Sequence, residues 1–223
     1  MHVLFGLLAR LFNTDDDDAD TLRPQVEGNP PCFFLLHDDS VSMGTKDGPG
    51  RTSRREAARG AGYGTLSYIY KNNPRAVVGI GSYADYFYHV TGPRVIGEHY
   101  QAMMDDLQDL GPTGDTAIGR GLRGIQKMIQ KCPAESRKIL LVLSDGRQNE
   151  GEAPEPVAEE LREEYGVDIH AIGIGDRSEV DEDRLRRIAS CPDQYTFLEN
   201  WDPDGLLEEF KSRIILYAPQ DEE

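Results

Sequence analysis

Cys32-Phe33-Phe34-Leu35-Leu36-His37-Asp38 carries large apolar residues at consecutive positions and then breaks at once into Asp39-Ser40-Val41-Ser42-Met43. A run without polar alternation has no solvent face, so it suits a strand covered on both sides, as in a parallel sheet. We read the strand as Phe33 to Asp38. A carboxylate and two hydroxyls follow at alternate positions, Asp38, Ser40 and Ser42, where the strand ends and a loop begins. Open parallel sheets bind ligands beyond the carboxyl ends of their strands, so this loop is the first place to look for chemistry.

A second run of the same kind, Lys138 to Asp145, ends in Ser144-Asp145-Gly146. Further strands are predicted at Arg75 to Ser82, Asp168 to Gly175 and Gln194 to Glu199. Tyr86 to Val90 follows the second strand after too few residues for a crossover, which makes it an antiparallel edge partner. Amphipathic stretches predict helices over Thr52 to Lys71, Glu98 to Leu110, Ala117 to Lys131, Pro154 to Tyr165, Asp181 to Ala189 and Pro203 to Tyr217. Strands alternating with helices require right-handed crossovers. The expected fold is therefore α/β: a doubly wound, mostly parallel six-stranded sheet with one antiparallel edge strand and helices on both faces.

The 223 residues fit one such domain with an appendage. Val3, Leu4, Leu7, Leu8 and Leu11 fall on one face of a short amphipathic helix over residues 1–12. Residues 13–31, with Asp15 to Asp18 and several prolines, read as an acidic linker, residues 32–217 as the domain and residues 218–223 as an acidic tail. With 40 acidic against 24 basic residues the formal charge is −16, which repels phosphate backbones and anionic headgroups and argues against nucleic acid. No apolar run reaches the roughly 18 residues of a spanning helix. Arg10 is the single cation of the first segment, so neither membrane contact nor a secretory leader is expected, and the reading is cytoplasmic. Cys32, Cys132 and Cys191 are odd in number and lack CxxC spacing, which implies neither a disulfide framework nor a zinc site.

Three loops offer oxygen donors at one end of the sheet: Asp38, Ser40 and Ser42 after the first strand, Thr116 in Gly111-Pro112-Thr113-Gly114-Asp115-Thr116 before a helix it could cap, and Asp145. Carboxylates and hydroxyls without Cys or His suit Mg²⁺, Mn²⁺ or Ca²⁺ rather than zinc. Each residue alone has a plainer reading, Asp38 as a turn former and Thr116 as a helix cap, with Thr113 a rival for the hydroxyl role. Asp39 and Asp115 are expected to be solvated loop carboxylates, and His37 a packed strand residue beside the loop. Gly60, Gly62 and Gly64 lie in a helix without a preceding strand, so they indicate close helix packing rather than a phosphate cradle. Neither a phosphate-binding GxxxxGK[ST] nor a GxSxG nucleophile elbow is present.

Asp38-x-Ser40-x-Ser42, Thr116 followed by Gly119 and Leu122, and Ser144-Asp145-Gly146 together resemble the complete metal-ion-dependent adhesion site of von Willebrand factor A domains, over about Cys32 to Tyr217. The resemblance implies a metal-dependent protein-interaction module rather than an enzyme. Ser40, Ser42 and Thr116 would ligate Mg²⁺, Mn²⁺ or Ca²⁺ directly, and Asp38 and Asp145 mostly through water. A Glu or Asp of a partner protein would complete the shell, coupled to a shift of the last helix, Pro203 to Tyr217. An AAA+ ATPase or a signalling protein is the implied partner class. Asp39, Val41 and the glycine-rich stretch Gly44 to Gly50 depart from the family pattern. Two other readings stay open: a Mg²⁺-dependent phosphohydrolase, which would need Asp where Ser40 stands, and a structural subunit with an idle metal site.

Overall fold

The computed structural model describes residues 28–109, 114–199 and 201–215. The expected N-terminal helix, linker residues 13–27, Thr113, residues 216–217 and the tail 218–223 lie outside the described residues. In chain order the regular elements are β1 (Cys32–Asp38), α1 (Arg54–Asn72), β2 (Val77–Tyr83), β3 (Phe87–Val95), α2 (Ile96–Asp106), α3 (Ile118–Ile129), β4 (Lys138–Ser144), α4 (Pro154–Tyr165), β5 (Val167–Ile174), α5 (Glu182–Ile188), β6 (Tyr195–Leu198) and α6 (Pro203–Ile215). They build one six-stranded sheet in the order β3-β2-β1-β4-β5-β6. Every pairing is parallel except β2 with β3, as the short connection required.

β1 lies at the centre, Leu35 standing beside Ile80 of β2 and Leu141 of β4. Alternate residues feed two cores. Phe33, Leu35, Ile139, Leu141, Ile172 and Ile174 pack under α1, α2 and α6, whereas Phe34, Leu36, Leu140, Val142, Ile169 and Ala171 pack under α3, α4 and α5. Full burial of such a side chain contributes about 1.5–3 kcal/mol, so a strand buried on both faces is fixed in register by two independent cores. From β1 the chain winds outward to β2 and β3, and from β4 outward to β5 and β6. The reversal of strand order between β1 and β4 opens a crevice at their carboxyl ends.

Local chemistry accounts for where the elements start. α1 begins at Arg54, two residues later than expected, because Ser53 caps it: the Ser53 hydroxyl accepts from the Glu56 amide at 3.2 Å and Glu56 Oε2 accepts from the Ser53 amide at 2.8 Å. α2 begins at Ile96, ahead of the expected Glu98. Its first amides are satisfied by carbonyls, Ile96 by Ala76 at 2.9 Å and Gly97 by Pro74 at 2.8 Å, so no capping side chain marked the start. β3 runs on to Val95, past Gly92 and Pro93, because an edge strand tolerates a missing amide and its pairing with β2 shifts register there. The α1 glycines do serve helix packing. A Cβ on Gly60 would stand 2.9 Å from Pro203 Cβ, and one on Gly64 2.5 Å from Leu207 Cδ2, so α6 lies close against α1.

Candidate metal centre

At the β1–β4 crevice Asp38 and Asp145 are both buried, 2% and 0% exposed. Asp38 is the last residue of β1, and three donors hold its carboxylate: the Ser40 amide on Oδ1 at 3.0 Å, and on Oδ2 the Ser144 hydroxyl at 2.7 Å and the Tyr83 hydroxyl at 3.2 Å. Burial, and next the charge of Asp145, push the Asp38 carboxyl up to about 6, against the pull of the Ser40 and Ser144 hydrogen bonds. The same burial and the Asp38 charge hold the Tyr83 hydroxyl well above its ordinary value, so it stays a donor. The Ser40 and Ser42 hydroxyls lie 3.0 Å apart across the first turn of a 3-10 segment, Val41–Gly44. Asp38, Ser40 and Ser42 thus lie together where β1 ends, with Asp145 near enough for its charge to act on Asp38.

Thr116 reaches the same end of the sheet from the other side. Its segment is tied to the first loop by the Val41 amide on the Gly114 carbonyl at 3.2 Å, and to β2 by the Ala117 amide on the Ala84 carbonyl at 3.0 Å. The Thr116 amide donates to Asn149 Oδ1 at 2.8 Å, and its carbonyl accepts from the Asn149 and Glu150 amides at 3.2 and 3.3 Å. Its backbone amide and carbonyl are thereby committed, so the hydroxyl is the atom that it could offer to a cation. Thr116 is not the helix cap that its position suggested. Ala117 takes that place without a side-chain bond, and Gln148 Oε1 instead accepts from the Gly119 amide at 3.2 Å.

One strong participant went unrecognised in the sequence. Arg54, 1% exposed, lays its guanidinium against Asp145 Oδ2 at 3.4 Å and against Glu179 Oε2 at 3.2 Å, with a close ion pair to Asp47. Burial works against its charge, but Asp47, then Glu179 and Asp145, outweigh that and hold Arg54 above its ordinary value. Gly175, at φ +121°, makes room: a Cβ there would stand 2.6 Å from Arg54 Cζ. The Gly44 to Gly50 departure gains a purpose, since it carries Asp47 to this arginine and Gly48 under the ring of Trp201, just before α6.

Asp39 corrects an expectation. It is 3% exposed rather than solvated, and Arg55 Nε donates to its Oδ1 at 2.6 Å while Arg55 Nη2 donates to the Ser40 carbonyl at 3.2 Å. Asp39 and Arg55 therefore fasten the ligand loop to α1. Asp115 is exposed as expected, and with Asp85 and Glu150 it forms an acidic group whose oxygens lie within 4.8 Å of one another. The charges of this group are met locally by the Asp115 amide on Asp85 and by Arg120, 3.5 Å from Glu150. His37 is packed in the core, its ring against the helix at Gly62. Around the rim, Val41 is 67% and Tyr86 57% exposed.

As a donor set, Asp38, Ser40, Ser42, Thr116 and Asp145 fit a hard divalent cation: all ligand atoms are oxygen, and the paired buried carboxylates are a negative charge that a cation would relieve.

Comparison with known proteins agrees with this architecture. The chain is 36% identical over 107 residues to the collagen alpha-6(VI) chain of Mus musculus, covering 46% of this chain and 4% of that one. It is 29% identical over 74 residues to the uncharacterized protein YwmC of Bacillus subtilis, covering 33% of this chain and 32% of that protein. It thus spans only a minor part of the length of either relative. Among solved structures, the vWF domain of the type V pili tip protein Mfa5 from Porphyromonas gingivalis superposes with a TM-score of 0.70 at 13% identity, covering 89% of this chain and 99% of that one. The pilus adhesin SpaC from Lactobacillus rhamnosus GG gives 0.70 at 17% identity, covering 87% and 31%. BatB from Bacteroides thetaiotaomicron gives 0.67 at 17% identity, covering 83% and 98%. Residues 35–213 match the model of the von Willebrand factor type A domain, and the chain belongs to that family.

Proposed function

We propose that this chain is a divalent-cation-dependent protein-binding module, in which the cation rests on Ser40, Ser42 and Thr116 directly and on Asp38 and Asp145 through water. The observation that carries this reading is the pair of buried carboxylates, Asp38 driven up to about 6 by burial and by the charge of Asp145, beside two hydroxyls 3.0 Å apart. Mg²⁺ is the proposed ion, with Mn²⁺ or Ca²⁺ as substitutes of the same donor preference. The bound ion would supply an electrophilic position for an incoming carboxylate. Neutral hydroxyls as nearest ligands would leave its charge only partly screened, so a partner Glu or Asp is the group it would capture.

The formal charge of −16 opposes an acidic partner at long range, but that repulsion is screened over about 8 Å at physiological salt, while a metal contact is direct. Val41 and Tyr86 at the rim would give such a partner an apolar surface beside the ion. The chain's relatives include a collagen chain and its fold neighbours include pilus proteins, which supports binding rather than catalysis as its role.

Calorimetric titration with Mg²⁺ or Mn²⁺ tests the reading. We expect saturable binding that is lost in Asp38→Ala combined with Ser40→Ala, and partner capture that is lost in EDTA and weakened in Thr116→Ala. Absence of saturable binding in the unaltered chain, or undiminished binding in the double variant, would refute the site.

A further inference from the structure

Among the described residues, Arg54 is the one cation that an ion pair joins to a carboxylate of the donor set. It is the first residue of α1, and its place is fixed from several directions. The Arg54 amide donates to the Thr45 carbonyl at 3.2 Å, Nε donates to both oxygens of Asp47 at 3.2 and 3.1 Å, and Nη2 donates to Glu179 Oε2 at 3.2 Å. Gly175 closes over the guanidinium, since a Cβ there would stand 2.9 Å from both Nε and Nη1. The remaining nitrogen, Nη1, lies 3.4 Å from Asp145 Oδ2. Arg54 is 1% and Asp145 0% exposed, so solvent does little to screen the two from each other. The adjacent Arg55 differs, because it pairs with Asp39, which is outside the donor set.

Asp145 does not need this arginine for its orientation. Its Oδ1 accepts from the Arg147 amide at 3.2 Å, and its carbonyl accepts from the Asp181 amide at 3.0 Å. The Arg54 contact, at the long end of hydrogen-bond range, supplies charge more than direction. A guanidinium pinned by Asp47 and Glu179 has no room to swing aside when a second cation approaches Asp145, and it does not give up its proton. Two cations drawn to one buried carboxylate repel each other, and more strongly than exposed charges do, because little water lies between them.

We propose that Arg54 is a built-in competitor for Asp145, a fixed positive charge that opposes the divalent cation and sets how loosely the site holds it. This rests on the cation site proposed above. A site so opposed would bind its ion weakly until further negative charge, such as a partner carboxylate, joined the shell. An arginine that merely positioned Asp145 would have the opposite effect and strengthen ion binding, so the sign of the change on removing it separates the two roles.

The test is calorimetric titration of the full chain with Mg²⁺ at physiological salt, on the unaltered chain and on Arg54→Met, Arg54→Gln, Arg54→Lys and Lys127→Gln. Arg54→Gln keeps a hydrogen-bond donor toward Asp145 without the charge, and so gives a second neutral variant should the methionine one fold poorly. We expect both neutral variants to bind Mg²⁺ about tenfold or more tighter than the unaltered chain. Arg54→Lys retains the charge and should stay within about threefold of the unaltered chain. Lys127 is exposed in the last turn of α3, at the other end of that helix from Thr116. Its replacement removes the same formal charge at a screened position and should change the affinity by about twofold or less. Equal or weaker binding in Arg54→Gln, or a gain as large in Arg54→Lys or Lys127→Gln, would overturn the proposal and leave the cation site standing. No saturable binding in any of the five chains would overturn the site, and the proposal with it.

Discussion

Replacing Arg54 by Met removes the guanidinium and keeps an unbranched apolar stem in its place, so the cost reports on charge rather than on a cavity. In the present structure Arg54 is the cation against Asp145, both residues being essentially inaccessible to water, at 3.4 Å. Its other partners matter less. Asp47 is 28% and Glu179 46% exposed, so water takes over their solvation once the arginine is gone. Asp145 has no such recourse, and its charge already adds to burial in raising the Asp38 carboxyl to about 6. Leaving a buried charge without its partner costs about 3–5 kcal/mol, which in a chain of this size lowers the melting temperature by roughly 6–20 °C. The assay is thermal or urea unfolding in EDTA, with Asp47→Asn as the control, expected to cost about 1 kcal/mol or less. In saturating Mg²⁺ the Arg54→Met deficit should shrink, because a divalent ion in the pocket would take over compensation of Asp145. A variant as stable as the unaltered chain in EDTA, or one whose deficit is the same with and without Mg²⁺, would refute the reasoning.

Two further outcomes follow from the packing. Burial, and next Arg213, hold His170 down to about 4, and burial with Arg59 does the same for His37. Folded values below the unfolded value of about 6.5 mean that the unfolded chain binds more protons in this window. Stability is therefore complete above about pH 6.5 and falls as pH drops toward 4, by up to about 3 kcal/mol per histidine. Asp38 acts with the opposite sign over part of the window, since its folded value is raised, so the test is the change in the slope of stability against pH between the unaltered chain and His170→Gln. An unchanged slope would refute it. Gly119 lies in the first turn of α3, where a Cβ would overlap the backbone carbonyl oxygen of Glu152. Gly119→Ala must push away the segment that carries Asn149 to Thr116, and should cost about 1–3 kcal/mol in urea unfolding, together with weaker Mg²⁺ binding. Unaltered stability would show that the segment yields freely.

How much of this was legible in the sequence follows from the range of the forces involved. Fully apolar β1 and β4 announced central parallel strands, because burial on both faces is written into consecutive residues. The short step from β2 to β3 likewise admitted only an antiparallel turn. Asp38, Ser40, Ser42 and Asp145 could be singled out as candidates because they lie at or just past the ends of such strands, where an open sheet places its loops. Arg54 was not visible: its partners lie 7, 91 and 125 positions away, and the room it occupies is made by Gly175, just past the end of β5. Asp39 misled for the same reason, since a loop carboxylate looks solvated until the arginine sixteen positions later is folded onto it.

The same logic explains how the carboxyl end of β1 is held. Its register is set by two cores at once, so neither end can slide without exposing Phe33 and Leu35 on one face or Phe34 and Leu36 on the other. A slip of one residue would exchange the faces and remove Asp38 from Ser144 and Tyr83. The buried carboxylate at the carboxyl end is thus held in place by the register of the whole central strand. Polar groups can stay buried at its carboxyl end because each has a defined neighbour: Asp38 has three donors, Asp145 has Arg54, and Asp39 has Arg55. Buried charge is stable only under such pairing. That the cations supplied by the chain reach Asp145 and Asp39, while Asp38 is met by neutral donors and stays strained up to about 6, marks Asp38 as the carboxylate whose charge an added cation would relieve most.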